Sequence, residues 1–273
     1  MRPLQERFEI LRLWCAGNSA KSLARRSGIP RGTIRYWIRH FAGVAQTEEA
    51  TGLKPVQWGF ESLHQHQHAA YVYLLGLYLG DGCISRTPKT YLLRIFLNDG
   101  QPHVIDEASR AIALLMPRRV GLGRRGRIRI VTAYWGGWPA LFPQHGPGRK
   151  HSRTIALEPW QDKLVAAHPD QFVRGWIHSD GCRHRRIVNG KNYPAYAFSN
   201  RSSDILMLFV WACELLGLRA IRSSRIAISI ARRPDVARLD EIMARSWSDP
   251  PREVTSRGRA SGPYRPAGAL LTP

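Results

Sequence analysis

The apolar positions of the chain fall into one series that is written twice. Each copy begins with an apolar run that breaks off in Asp-Gly: Tyr73-Leu74-Leu75-Gly76-Leu77-Tyr78-Leu79-Gly80-Asp81-Gly82, then Phe172-Val173-Arg174-Gly175-Trp176-Ile177-His178-Ser179-Asp180-Gly181. Small residues recur four apart in both, Gly76/Gly80 and Gly175/Ser179. Positions i and i+4 share a helix face, and small side chains there let two helix backbones approach closely. The pattern predicts two helices packed on each other and stopping at Gly82 and Gly181, since glycine suits the left-handed position past a helix end. Behind each Asp-Gly-Cys come two strand-like runs joined by a turn, the later ones being Tyr91 to Asn98 and Tyr193 to Asn200. An amphipathic helix is predicted next, from His103 to Met116 and from Asp204 to Leu216. A basic, β-branched run follows, Arg127-Ile128-Arg129-Ile130-Val131 and Arg225-Ile226-Ala227-Ile228-Ser229-Ile230. Arg alternating with Ile predicts a strand with one face in a core and one face wet. Helix, hairpin, helix, strand, helix, twice over, is an α+β pseudo-dimer, with repeats at 69–168 and 169–246.

Residues 1–42 read differently, as three short helices. Phe8, Ile10, Leu11, Leu13 and Trp14 give the first an apolar face, and Gly17-Asn18-Ser19 breaks it and offers an N-cap. The stretch from Ser19 to Ile38 then resembles a helix-turn-helix of the homeodomain-like or transposase-type kind. Leu23, Ile29, Ile34 and Trp37 fall at core positions, Ala24 is small where two helices cross, and Gly28 stands where the turn needs positive φ. Arg31, Thr33, Arg35, Tyr36 and Arg39 lie between the core positions of the second helix, facing the major groove and its phosphates. Residues 43–68 read as a polar linker, its His64, His66 and His68 included. The insertion from Tyr134 to Arg153 is aromatic, glycine-rich and basic, and reads either as a surface loop or as a loop contacting phosphate. The tail over 247–273, rich in Pro, Gly, Ser and Arg, is expected to be disordered.

Composition narrows the partners. A chain of 273 residues that is 44% hydrophobic holds one large or two modest domains with a real core. Its net charge of +21, spread along the whole chain, attracts polyanions, nucleic acid first. No apolar run approaches the ~20 residues of a spanning helix, and the N-terminus carries no signal-peptide apolar region. Membrane partners are therefore set aside, and a cytoplasmic, nucleoid-associated protein is expected. Cys15, Cys83, Cys182 and Cys213 form no Cys-x-x-Cys pair and read as small buried residues rather than a disulfide or zinc set.

The stretches Leu74 to Gly82 and Val173 to Gly181 resemble the paired nine-residue motifs of LAGLIDADG homing endonucleases, with Asp81 and Asp180 at the acidic position. The double occurrence at domain-sized spacing carries the resemblance, which covers roughly residues 70–245. It implies a pseudo-dimeric fold of two αββαβα repeats whose sheets form a saddle over duplex DNA, here preceded by a small all-α helix-turn-helix domain. A carboxylate in the last turn of a helix is misplaced against the helix dipole, by a few tenths of a kcal/mol or more. Two of them brought together suggest a metal site. Hydrolysing a phosphodiester calls for a metal to activate water and steady the leaving oxygen, and Mg²⁺ prefers carboxylates plus substrate oxygens. The resemblance implies one carboxylate per strand cut, with the main-chain carbonyls of Gly80 and Ser179 assisting, and Arg127, Arg129 and Arg225 on DNA-facing strands.

The family also places a Lys near the end of each repeat's last strand. Lys150 or Arg153 could serve in the first repeat. The second has none, because the last lysine of the chain is Lys191. Arg232 or Arg233 would have to substitute there, and an always-charged Arg makes a poor base. Three functions are therefore carried forward. The first is a monomeric, Mg²⁺-dependent homing-type endonuclease that binds double-stranded DNA at a specific sequence. The second is a non-cleaving transcription regulator on the same scaffold. The third, a protein with no nucleic-acid partner, fits the charge poorly. An intein is not expected, because the chain holds no His-Asn dipeptide.

Overall fold

The computed structural model describes residues 10, 13, 18–35, 63–116 and 119–249. The chain divides into two compact units, 1–57 and 58–273.

In the first unit α1 spans Ala20–Ser27. Ser19 caps it by accepting a hydrogen bond from the Ser22 amide at 3.1 Å, which satisfies one of the orphan donors of the first turn. Gly28 ends it with φ at 67°, its amide donating to Ala24 O, so the tight turn uses the backbone freedom of glycine. Helix resumes over 31–35. Ile10, Leu23, Ile29 and Ile34 form one buried cluster, with Leu13, Ala20 and Ala24 packed against it. Trp37, expected in this core, lies outside the described residues.

The second unit is organised by α2 (His68–Asp81) and α6 (Pro169–Asp180). Residues 70–79 of α2 are all buried, so it has no wet face and behaves as a core helix. The two helices touch through their glycines. A Cβ on Gly76 would stand 2.6 Å from Phe172 O, and one on Gly175 would stand 2.3 Å from Tyr73 O. Both helices end at Gly82 and Gly181 as predicted, but for another reason. Those glycines are extended, with φ at −95° and −105°, instead of left-handed. A Cβ on Gly82 would meet Tyr78 Cα at 2.5 Å, and one on Gly181 would meet Ile177 Cα at 2.6 Å. The chain turns so sharply from helix into strand that space excludes a side chain.

The first repeat continues as β1 (Gly82–Arg86), β2 (Tyr91–Asn98), α3 (Pro102–Leu115), β3 (Gly121–Arg125), β4 (Ile128–Tyr134), the short α4 (Trp138–Leu141) and α5 (Pro159–Ala167). After α6, the second repeat runs through β5 (Gly181–Val188), β6 (Lys191–Ser199), α7 (Ser203–Leu215), β7 (Ile221–Ser224), β8 (Ala227–Ile230) and α8 (Arg233–Met243). The sheets have the same antiparallel order, β1-β2-β4-β3 and β5-β6-β8-β7. Each repeat thus carries one strand more than the pattern predicts. Gly121-Leu122-Gly123-Arg124-Arg125 and Ile221-Arg222-Ser223-Ser224 are edge strands without the apolar alternation that announces a half-buried strand.

Register decides which side chains are wet. On β2 and β4, Leu93 pairs with Ala133 and Ile95 with Val131, and all four are buried. Side chains alternate between faces, so Ile128 and Ile130 lie on the open face. In β8, by contrast, Ile228 and Ile230 are buried.

A charged pair ties the repeats together. Arg174 of α6 and Glu107 of α3 form a two-pronged ion pair, both side chains 4% exposed. Glu107 also accepts from Ser246 Oγ at 3.0 Å and the Trp247 amide at 3.3 Å, which anchors the segment after α8. Residues 250–273, the bulk of the tail expected to be disordered, lie outside the described residues. Glu107→Ala strands a buried guanidinium, and urea unfolding is expected to register a loss of about 3–5 kcal/mol. The double replacement Glu107→Leu with Arg174→Met is expected to recover most of it. Equal loss in the double variant would contradict the account.

Candidate functional site

The ends of α2 and α6 meet so closely that a Cβ on Gly80 would lie 2.1 Å from Ser179 Oγ and 3.2 Å from Asp180 Oδ2. The glycine is therefore a condition for bringing the two acidic helix ends together. Ser179 Oγ donates to Trp176 O at 3.1 Å and stays within its own helix.

The insertion after β4 is neither a plain surface loop nor a solvated one. Trp138, Leu141 and Phe142 are buried, Trp138 Nε1 donates to Ala133 O at 2.9 Å, and the Phe142 ring lies 4.5 Å from that of Tyr78. From this anchor the chain passes through Gly146-Pro147-Gly148 into a 3₁₀ turn, Lys150–Ser152. That turn carries Lys150 to the end of α2. Its Nζ donates to Gly80 O at 2.9 Å and to Tyr78 O, and sits 5.0 Å over the Tyr78 ring. Unsatisfied carbonyls and the negative end of the dipole make a helix C-terminus a natural seat for an ammonium.

The two aspartates open into different clefts. Asp180 lines an open cleft of about 760 Å³ together with Gly80, Lys150, Cys83, His145 and Asn200. Asp81 lines a second, of about 680 Å³, with Asn98, Asp99, Arg124 and Arg127. In the first cleft the pairing is crosswise, Asp180 of α6 lying with Gly80 of α2, whereas the Asp81 cleft is lined by the first repeat alone. Lys150, from the first repeat, therefore serves the cleft of the second repeat's aspartate. Asn200 Nδ2 donates to Asp180 Oδ2 at 2.7 Å.

Burial pushes the Asp81 carboxyl up to about 6, the neighbouring Asp180 adds to this, and Lys150 opposes it. Burial also raises Asp180, against the Asn200 hydrogen bond and the Lys150 charge. The Lys150 ammonium is brought down to about 8 by burial, although both aspartates hold it up. One cation thus feels both carboxylates. His178, the residue two before Asp180, is pushed down to about 3 by burial and by Arg174 and His103. As a neutral ring it pairs with Tyr73 OH at 3.0 Å, a packing role.

Among the described residues no group of three or more His, Cys, Asp or Glu is placed to hold a metal. What the site offers is two carboxylates and the Gly80 carbonyl, all hard oxygen donors. That set suits Mg²⁺, which is commonly held by one or two carboxylates plus substrate phosphates. Because Asp81 must be ionised to bind a divalent ion, Mn²⁺ affinity measured by calorimetry is expected to fall as pH drops below about 6. A flat profile down to pH 5 would place the ion away from Asp81.

The predicted DNA-contacting residues divide. Arg31 and Arg35 are exposed and Thr33 is half-buried, while Tyr36 and Arg39 lie outside the described residues. Arg127 is exposed and lines the Asp81 cleft; Arg225 is exposed in the turn before β8. Arg129 does not lie on the open face. It shares the core side of β4 with Val131 and Ala133, and its Nε donates to Asp99 at 2.8 Å. Arg232 and Arg233, considered as substitutes for a second lysine, face Asp235 and the Tyr193 ring instead. Arg153 donates to Gln144 O. Cys213 is buried, but Cys83 is half-buried and Cys182 exposed, because β5 is an edge strand with little packed over it. His64 and His66 are exposed with stacked rings 5.7 Å apart, in a turn that leads into α2. Sequence reasoning missed Asn200 as a partner of Asp180. Its one signal is a polar residue ending a strand run beside the motif.

A family model described as a homeodomain-like domain matches residues 2–51. No curated protein matches the chain by sequence. Solved structures do, all at low identity. I-DmoI in complex with DNA and Mn is 11% identical, covers 66% of this chain and 98% of its own, and gives a TM-score of 0.45. The LAGLIDADG meganuclease I-AabMI bound to uncleaved DNA is 11% identical over 64% of this chain and 83% of its own, at 0.43. The N-terminal LAGLIDADG domain of DUF199/WhiA is 14% identical over 66% and 84%, at 0.39. Among the described residues no helix is long and apolar enough to cross a membrane.

Proposed function

We propose that this protein binds duplex DNA at a specific sequence and hydrolyses its phosphodiester bonds with a divalent cation, Mg²⁺ by preference. The observation that carries the reading is the meeting of Asp81 and Asp180 at two helix ends, each opening into its own cleft, with Lys150 seated on the Gly80 carbonyl in the Asp180 cleft. A divalent ion supplies Lewis acidity at phosphate oxygens. Asp180 with the Gly80 carbonyl would hold one in the first cleft, and Asp81 with the Ser179 carbonyl would hold one in the second. Asn200 orients the Asp180 carboxylate. Lys150 puts positive charge beside the phosphate in one cleft only, while the Asp81 cleft offers Arg124 and Arg127. The first is an amine that can give up a proton near neutral pH; the second pair stays protonated. The strand lying over the Asp180 cleft is therefore cut first and faster. A monomer suffices, since both clefts come from one chain.

The helix-turn-helix supports the specificity, with exposed Arg31 and Arg35 on its second helix. A non-cleaving regulator is the second reading, favoured by Lys150 and Asn200 already occupying donor atoms at Gly80 and Asp180. A pool of randomised duplexes separates the two. Bound duplexes selected with and without Mn²⁺ are expected to share one sequence, and only the Mn²⁺ pool to yield cut ends. Removing residues 1–57 is expected to weaken binding several-fold, and affinity is expected to fall steeply with salt as phosphate contacts release counterions. Intact duplexes in both pools support the regulator.

A further inference from the structure

The Lys150 ammonium lies where a cation would be wanted. It bonds the carbonyls of Tyr78 and Gly80. Gly80, Lys150 and Asp180 line the same open cleft. An ammonium and a divalent ion cannot share one carbonyl oxygen, since the like charges repel at contact distance. The segment that leads to the lysine runs over the surface. Gly148 is left-handed with φ at 79°, residues 147–149 are exposed, and the four-carbon stem pivots without moving either helix.

We propose that Lys150 is a tethered cation of the Asp180 cleft, and that a divalent ion enters the Gly80 carbonyl position by displacing it. The inference rests on the nuclease reading for the identity of the incoming ion and adds the competitor. It explains how two half-buried carboxylates are tolerated side by side before metal and substrate arrive. It also gives the displaced amine a place to go, toward the phosphate that accompanies the metal.

The test measures metal, not cleavage. Mn²⁺ is titrated into the full chain without DNA and followed by calorimetry and electron paramagnetic resonance. Lys150→Met is expected to bind Mn²⁺ at least tenfold tighter than the unaltered protein, and Asp180→Asn to lower binding in both backgrounds. Equal or weaker affinity in Lys150→Met overturns the inference and leaves the nuclease reading standing. No Mn²⁺ bound by either protein overturns both. A second measurement needs no variant. Reductive methylation of Lys150 in the unaltered protein, read by mass spectrometry, is expected to rise several-fold when Mn²⁺ is present, since the amine leaves its carbonyls. Unchanged or reduced methylation of Lys150 also overturns the inference.

Discussion

Gly175→Ala is expected to destabilise the second unit by about 3 kcal/mol or more, at the upper end of what overpacking costs. The sign is the informative part. In an exposed helix interior the same change is stabilising by about 1 kcal/mol, because alanine has the higher helix propensity. Here the new methyl would stand 2.3 Å from Tyr73 O and 3.0 Å from Leu77 N. Both obstacles are main chain, so no rotamer change relieves the clash, and α2 and α6 must separate. Set against the ~5–15 kcal/mol total stability of a typical domain, that loss is a large fraction. Gly123→Ala is the control. Its Cβ would meet only Ile130, Cβ at 3.8 Å and O at 3.9 Å, both ordinary contacts, and a change within about 0.5 kcal/mol is expected for such an edge-strand site. Urea unfolding of both variants checks the pair. A neutral Gly175→Ala would mean that the helices are not in backbone contact.

The second large effect is catalytic and unequal between the two aspartates. Asp180→Asn keeps the shape of the side chain and removes the charge that, on the proposed function, would hold a divalent ion beside Gly80. Cleavage of the strand over that cleft is expected to fall by ~10³-fold or more, the scale of losing one principal electrostatic contact to the transition state. Asp81→Asn removes the other cleft's carboxylate, so nicking of the first strand persists while the second cut is lost. Asp81→Asn also removes a like charge beside Asp180. Binding to the target duplex is expected to stay within a few-fold in both variants. A duplex labelled on each strand in turn reads the two cuts separately.

How much of this was legible in the chain depends on where the physics is local. The two apolar runs announced their own packing, because small-residue spacing on a helix face is a property of the helix alone. The turn at Gly28 was equally readable, since positive φ is a single-residue demand. Gly82 and Gly181 were found for the wrong reason: their requirement is room against Tyr78 and Ile177, which spacing does not report. Arg129 was placed on the wrong face because the alternation of Arg with Ile leaves the choice of buried face open. Val131 and Ala133, opposite Ile95 and Leu93, make that choice through pairing across the sheet. Lys150 could be named as a candidate, but its service to Asp180 depends on crosswise packing of two helix ends. The anchoring of its loop by Trp138 and Phe142 is likewise a tertiary fact. Asn200 pairs with a carboxylate from another element, and its place at the end of a strand run is the one local mark it carries.

The central claim is that Asp81 and Asp180 form a working, asymmetric phosphodiester-cleaving site. Supercoiled plasmid carrying the selected site, incubated with the protein and Mg²⁺ or Mn²⁺, tests it most directly. The account predicts nicked circles that accumulate before linear product, with the nick confined to one strand and abolished by Asp180→Asn. Plasmid left supercoiled at protein excess, while the same protein still retards the labelled site, would contradict it.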